Sequence, residues 1–541
     1  MGDALTRLAG QLRGELLLPG DHGYDNARRG YNRLHDHRPK VVVRPAIPDD
    51  VARALEFATS VGLEVAVRSG GHSLAGYGIT DGGVLIDLSA MHAVHIDPAA
   101  RVAWVEAGTT AGQLTAATAA HGLVVPFGDS PDVGVGGITL GGGVGWLSRK
   151  LGLTIDSVEG VELVTADGQL LTADDQTRPD LFWAMRGGGG NFGVVTRIRY
   201  RLHPIGAVLG GALLLPATGE VIRGVVDLAE AAPDELTTIM LITRLGPLSI
   251  VPPEAHGRLG VLITLVWCGE LAAGERVVQG FRALAPLADL VGPRPYPSMY
   301  ELIPEAPPSV TNITYSFAAD RLDDQAIGSI LQQLQERNLP SAEALAAVEL
   351  RVLGGAIRRV PVDATAFAHR QRRLLCSVVA AGFAEADTDR HRRWVRSLSD
   401  AIRYLAKGAY VNFLDAADEP RLHEAYPDST YRRLVQVKRR YDPTNLFHRN
   451  LNIRPETSAQ PYLVSFTIRS SISAERTSEI SPCWLDPASS RTVPRRRRRW
   501  SAADLRRFRF QLAWGDVVLA VQAARPPDPA ADVEVQRGHQ H

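Results

Sequence analysis

A chain of 541 residues with 45% hydrophobic residues can bury more than one core, and length alone suggests two to four domains. Its 59 basic side chains balance its 59 acidic ones, which argues against nucleic acid or an anionic membrane as the main partner, since both need a basic face, and fits a small, roughly neutral substrate. Cys268, Cys376 and Cys483 lie far apart, without a CxxC pair or a nearby histidine cluster, so neither a disulfide framework nor a metal site is expected.

In chain order, residues 1–18 interrupt their apolar positions with Asp3, Arg7, Arg13 and Glu15, unlike a signal peptide. No later stretch reaches the roughly 18 consecutive apolar residues of a membrane span, so a cytoplasmic location is expected. The β-branched run 41–44 predicts a strand closed by Pro45. Pro48, Asp49 and Asp50 then open a helix through 51–61. Residues 64–68 predict a second strand, which delivers the chain to Ser69-Gly70-Gly71-His72. Further strands are predicted at 84–87 and 101–106, with a hairpin over 162–171 turned at Asp167-Gly168. From 205 to 405, strands at 260–267 and 347–353 alternate with amphipathic helices at 323–337 and 391–404, which predicts a sheet with helices on one face. After Pro455 the chain becomes Ser-, Pro- and Arg-rich, and a weakly ordered tail is predicted over 456–541. Its arginine run at 495–499 lacks aromatic interleaving beyond Trp500, so no nucleic-acid partner is expected from it.

Three glycine-rich segments carry the chemistry. The first, Arg68-Ser69-Gly70-Gly71-His72-Ser73, continues through Gly76 and Tyr77 directly after a predicted strand. Bare backbone there lets N–H groups converge on an oxyanion, although a tight structural turn has the same signature. The second places seven glycines within the twelve residues 134–145, too much backbone freedom for a packing role alone. It holds no GxxxxGK[ST], and no strand leads into a GxGxxG with an acidic residue beyond it. ATP-type and NAD-type loops are therefore disfavoured. The third, Arg186 to Val195, again sets bare backbone beside an amide, Asn191. Toward the end, Tyr410-Val411-Asn412 reads by itself as a half-buried strand aromatic, and Asp442-Pro443-Thr444-Asn445 as a turn.

In this order the motifs resemble the FAD-linked oxidases of the vanillyl-alcohol oxidase fold, specifically the berberine bridge enzyme-like family, over residues 25 to 455. The resemblance implies an α+β fold. A PCMH-type FAD-binding domain of two α+β subdomains would occupy 1–204, an antiparallel-sheet substrate domain with helices on one face 205–405, and a returning C-terminal segment 406–455. It also implies that His72 bonds covalently to the 8-methyl carbon of FAD. Arg68, Ser69, Gly70, Gly71 and Ser73 would wrap the diphosphate, with Gly76 and Tyr77 beside them. Val133, Gly136, Gly137, Gly141, Gly142 and Gly145 would line the flavin, Gly190 to Val195, Asn191 among them, would hold the adenine side, and Asn450 and Asn452 would return to the flavin.

Ser130 stands where the family often has a second, cysteinyl tether, and a hydroxyl is too poor a nucleophile to replace a thiolate. A single covalent link is therefore expected. Val133 resembles the oxygen-reactive members. Tyr410 corresponds to the family's base, with Asn412 beside it. The implied activity is hydride removal from a small hydroxylated substrate such as a sugar, alcohol or secondary metabolite, followed by reoxidation by O2 to give H2O2. A dehydrogenase with another acceptor, or a flavin binder without turnover, stays open. Because a tyrosine has an ordinary pKa of about 10, a stabiliser beyond Asn412 is implied, either Lys438 or an arginine of the substrate domain. His369 and Arg370 on an apparent helix, and the strand with Glu349 and Arg351, are further groups that reach the cleft or serve structure.

Overall fold

Val41, Val42 and Val43 are all fully buried, as expected of a strand covered on both faces. In the computed structural model the strand Val41–Arg44 pairs in parallel with Val84–Asp87, which pairs in parallel with Val65–Arg68. Glu15–Leu17 adds an antiparallel edge. The helix Pro48–Ser60 crosses between the first two parallel strands in chain order, burying Val51, Ala54, Leu55 and Ala58 at helical spacing. The structure describes residues 2–246, 250–302, 310–337, 345–382 and 387–455, together with the strands Ser465–Ser470 and Val517–Gln522.

A second sheet of five antiparallel strands runs in the order Val94–Asp97, Val102–Glu106, Val194–Arg201, Val158–Val164 and Leu170–Ala173. Its last two strands form the hairpin predicted around Asp167-Gly168, and Gly168 takes the left-handed φ of 79° that the turn requires. The third sheet has eight strands, all antiparallel, drawn from residues 208–382. Period-two alternation divides its faces. Val348 and Leu350 pack with Ile222, Phe281, Ile330 and Leu398 from four helices, Gly219–Ala231, Leu271–Arg282, Asp324–Glu336 and Thr388–Ile402. Glu349 and Arg351 alternate with those two residues, and Arg351 bridges Glu349 to Asp129, at the edge of the second glycine segment.

One local expectation is corrected. Residues 369–370 lie in a turn, not a helix, because the fully buried Arg370 guanidinium is drawn into a two-point ion pair with Asp156 (2.7 and 3.0 Å). His369 Nε2 donates to the Glu424 carbonyl (2.6 Å), so both side chains serve structure. Within the second glycine segment, Val135–Gly141 is a short helix. Glycine disfavours helix by about 1 kcal/mol per residue, and tertiary contacts supply the compensation: Asn412 donates to the Ile138 carbonyl, Thr139 bonds Tyr200, and the Leu140 carbonyl accepts from Gly187 and Gly189.

The chain divides into two units, Met1–Pro455 and Glu456–His541. The weakly ordered tail predicted over 456–541 lies outside the described residues except for the antiparallel pair Ser465–Ser470 and Val517–Gln522. Among the described residues no helix is long and apolar enough to cross a membrane.

Candidate active site

Val65–Arg68 delivers the chain to the first glycine loop. The Arg68 guanidinium turns back from that loop onto the buried Asp87, with Nε and Nη2 on its two oxygens (3.1 and 2.7 Å). Arg44 shares the same carboxylate. The Arg68 side chain thus braces the strand against Asp87. Ser69 Oγ donates to the Ala107 carbonyl, while Ser73 Oγ accepts from the Tyr77 N–H (3.2 Å). Gly76 packs against the His35 ring, and Tyr77 against the core.

The first two glycine loops meet back to back. A Cβ on Gly70 would lie 2.2 Å from Gly134 N and 2.8 Å from the Asp132 carbonyl, and a Cβ on Gly134 would lie 2.1 Å from Gly70 N. Both obstacles are backbone, which cannot swing aside. Gly70→Ala is accordingly expected to separate the loops at a cost of about 1–3 kcal/mol, and the purified protein should retain less flavin. The ratio of visible flavin absorbance to protein absorbance measures this, and a parent-like ratio would refute the packing argument.

The helix Val135–Gly141 carries the second segment to Tyr410. Tyr410 is buried, not half-buried, and it precedes the 3-10 turn Val411–Phe413 instead of lying in a strand. Its phenol oxygen accepts from the Gly143 backbone N–H (2.8 Å) and from Asn412 Nδ2 (2.9 Å). Asn412 also donates to the Ile138 carbonyl (3.1 Å), and it occupies the space a Cβ on Gly141 would need, 2.0 Å from Asn412 Oδ1. A Cβ on Gly142 would touch the Tyr410 ring at 3.2 Å, whereas Gly145 packs on the Phe127 backbone. Phe367 and Phe413 flank Tyr410 edge-on.

Burial pushes the Tyr410 hydroxyl up to about 12, against the lowering effects of the Gly143 N–H, Asn412 and the Arg351 charge. Of the two candidates for the stabiliser beyond Asn412, the substrate-sheet arginine is the one whose charge acts on Tyr410. Arg351 donates to Glu349 (2.7 Å) and Asp129 (2.9 Å), and its Nη1 is buried with no partner among the described residues. Lys438 is committed elsewhere, with Nζ bonded to the Asn191 carbonyl, the Phe447 carbonyl and Asp442. The second donor to the tyrosine is a backbone amide, and no side-chain motif announces it.

The C-terminal ending closes over the third glycine run. Asn191 is buried, and its amide is fully used: Nδ2 donates to the Gly188 and Leu451 carbonyls, and Oδ1 accepts from Ile453 N–H. Val195 sits in the core. Asn450 Nδ2 donates to the Gly190 carbonyl (3.2 Å).

Several features fit a bound FAD. Asn450 Oδ1 and Asn452 Oδ1 are buried without a partner among the described residues, ready for a ligand's donors. The Cβ positions of Gly137 and Gly190 face open space. Burial lowers the His72 pKa, which Asp132 only partly offsets, and so favours the neutral imidazole, whose unprotonated nitrogen keeps a lone pair. Among the described residues neither of its ring nitrogens has a hydrogen-bond partner.

A family model described as an FAD binding domain matches residues 39–174, and one described as berberine and berberine like matches 409–454. Over 473 residues, 83% of this chain, the sequence is 30% identical to (R)-6-hydroxynicotine oxidase of Paenarthrobacter nicotinovorans, covering 98% of that protein. The chain belongs to the berberine bridge enzyme-like family of FAD-linked oxidoreductases. The crystal structure of 6-hydroxy-D-nicotine oxidase from Arthrobacter nicotinovorans superposes with a TM-score of 0.75 at 28% identity, covering 82% of this chain and 99% of that one. Glucooligosaccharide oxidase from Acremonium strictum, whose FAD is 6-S-cysteinyl and 8α-N1-histidyl, shares the fold at a TM-score of 0.74 and 21% identity, with coverage of 84% and 99%. This berberine bridge enzyme-like chain is thus an FAD-linked oxidoreductase of α+β architecture, as its motif order implied.

Proposed function

We propose that this enzyme is an oxidase that takes a hydride from a small hydroxylated substrate, with FAD attached through His72 alone, Tyr410 as the base and dioxygen as the final acceptor. FAD, when bound, supplies the hydride acceptor and passes the electrons on to dioxygen, which leaves as hydrogen peroxide. The observation that carries this reading is the Tyr410 oxygen with two N–H donors, at 2.8 and 2.9 Å. With both acceptor directions filled, the hydroxyl can direct its own hydrogen only away from Gly143 and Asn412. The same donors then hold the negative charge once that proton has left. The phenolate accepts the substrate hydroxyl proton as the adjacent C–H is broken, so charge on substrate oxygen never builds up unpaired.

His72 supplies a neutral imidazole for the covalent bond, and Ser130, lacking a thiolate, supplies no second one. Relatives named for oxidation of a hydroxynicotine and of xylooligosaccharides support the oxidase class and leave a broad choice of hydroxylated substrate. Val133, half-buried beside the first glycine loop, is consistent with oxygen access. Acid-denatured protein on a gel tests the linkage: the parent band should fluoresce and the His72→Ala band should not. A dark parent band would overturn the covalent assignment. Peroxide release over a panel of sugars, aromatic alcohols and secondary metabolites tests the oxidase assignment, and reoxidation in air slower than turnover with an artificial acceptor would remove it.

A further inference from the structure

Residues 29–32 lie outside both family-matched stretches, yet they grip the His72 loop at four points. Arg68 Nη1 donates to the Arg29 carbonyl (2.8 Å), and the Tyr31 N–H donates to the Gly71 carbonyl (2.9 Å). The Tyr31 ring stacks on the His72 imidazole, with centroids 4.8 Å apart and planes inclined by 19°. Asn32 Nδ2 donates to the Leu74 carbonyl (3.0 Å). Asn32 is itself buried, and it is pinned to the strand Thr311–Ala319 by a bond from Nδ2 to the Asn312 carbonyl (2.9 Å) and one into Oδ1 from the Asn312 N–H (3.0 Å). The strap is therefore anchored on the eight-stranded sheet.

An imidazole without a hydrogen-bond partner has nothing polar to fix its rotation about the Cβ–Cγ bond. A reacting nitrogen gains most when its plane is already set at the angle of attack. The stacked face of Tyr31 is placed to set it. We propose that Tyr31 is a positioning residue for flavin attachment: its stacked ring holds the His72 imidazole in the plane that brings a ring nitrogen to the flavin 8-methyl carbon, and Asn32 holds Tyr31. The proposal rests on the covalent assignment above. In the overall step a C–N bond forms, one methyl C–H and one imidazole N–H bond break, and the two protons and two electrons pass to dioxygen, giving hydrogen peroxide.

The test uses the full chain, expressed under riboflavin limitation and then supplied with FAD. Two signals are followed in time: acid-stable fluorescence on the polypeptide, and total bound FAD. Tyr31→Leu should bind FAD as the parent does but attach it about two- to tenfold more slowly, the range expected from one aromatic pair. Tyr31→Phe, which keeps the ring, should match the parent. Tyr31 is only half-buried, and Tyr31→Met supplies a second non-aromatic side chain if Tyr31→Leu accumulates poorly. Parent-like attachment in the non-aromatic variants overturns the proposal, as does a Tyr31→Phe protein as slow as they are. Acid-stable fluorescence surviving in His72→Ala, or missing from the parent, instead refutes the covalent assignment.

Discussion

The Tyr410→Phe protein is expected to keep its flavin and its fold while substrate-driven flavin reduction slows by about a hundred- to ten-thousandfold, the range of a lost general base. The ring stays between Phe367 and Phe413, so packing is conserved. What disappears is the oxygen that two donors converge on, the Gly143 N–H and the Asn412 amide. Asn412 keeps its bond to the Ile138 carbonyl, which limits the damage to the fold. The pH dependence has a definite sign. Burial raises the hydroxyl to about 12, so at neutral pH the phenol holds its proton. The ionised fraction then grows about tenfold per pH unit below that value, and the parent's reduction rate should climb with pH over the same interval. The variant has no such group, so its residual rate should be flat. Stopped-flow reduction across neutral and alkaline pH measures both, and equal rates in parent and variant would remove Tyr410 from the chemistry.

The sequence reveals the parts of this site that are contiguous in the chain. Strand 65–68 entering a double glycine, the glycine density of 134–145 and the spacing of Tyr410 and Asn412 are all local signals. The contacts that complete the site are long-range and mostly involve backbone. Gly143 and Tyr410 are 267 positions apart, and Asn32 and Asn312 are 280 apart. The helix Val135–Gly141 stayed hidden because glycine composition argues against it, and its support comes from Asn412, Tyr200 and the third glycine run. Arg68 was read by its neighbours in the motif, whereas its side chain answers to Asp87 one strand away. Arg351 shows the converse. Its alternation with Val348 and Leu350 follows from strand period alone, but Asp129 as its target could not be read from either segment.

Lys438 provides the largest expected loss of stability. Its ammonium and the Asp442 carboxylate are both fully buried and 2.7 Å apart, one helical turn from each other across the end of the helix Asp428–Tyr441. All three ammonium hydrogens are placed, on Asp442, the Asn191 carbonyl and the Phe447 carbonyl, while Asp442 also accepts from the Leu446 and Phe447 N–H groups. Burial lowers the lysine pKa and the Asp442 charge opposes that shift, so the pair stands or falls together. Lys438→Met leaves the Asp442 carboxylate buried with only its backbone donors and the Thr444 hydroxyl, and should cost about 3–5 kcal/mol, read as a lower denaturant midpoint. Because this cluster ties the third glycine run to the C-terminal ending, the same variant should also lose flavin on gel filtration. Since Tyr410 draws on Gly143, Asn412 and Arg351 and not on this ammonium, the flavin-loaded fraction that survives should reduce with the parent's pH profile. A midpoint unchanged from the parent would refute the structural role, and a profile displaced toward higher pH would return Lys438 to the tyrosine.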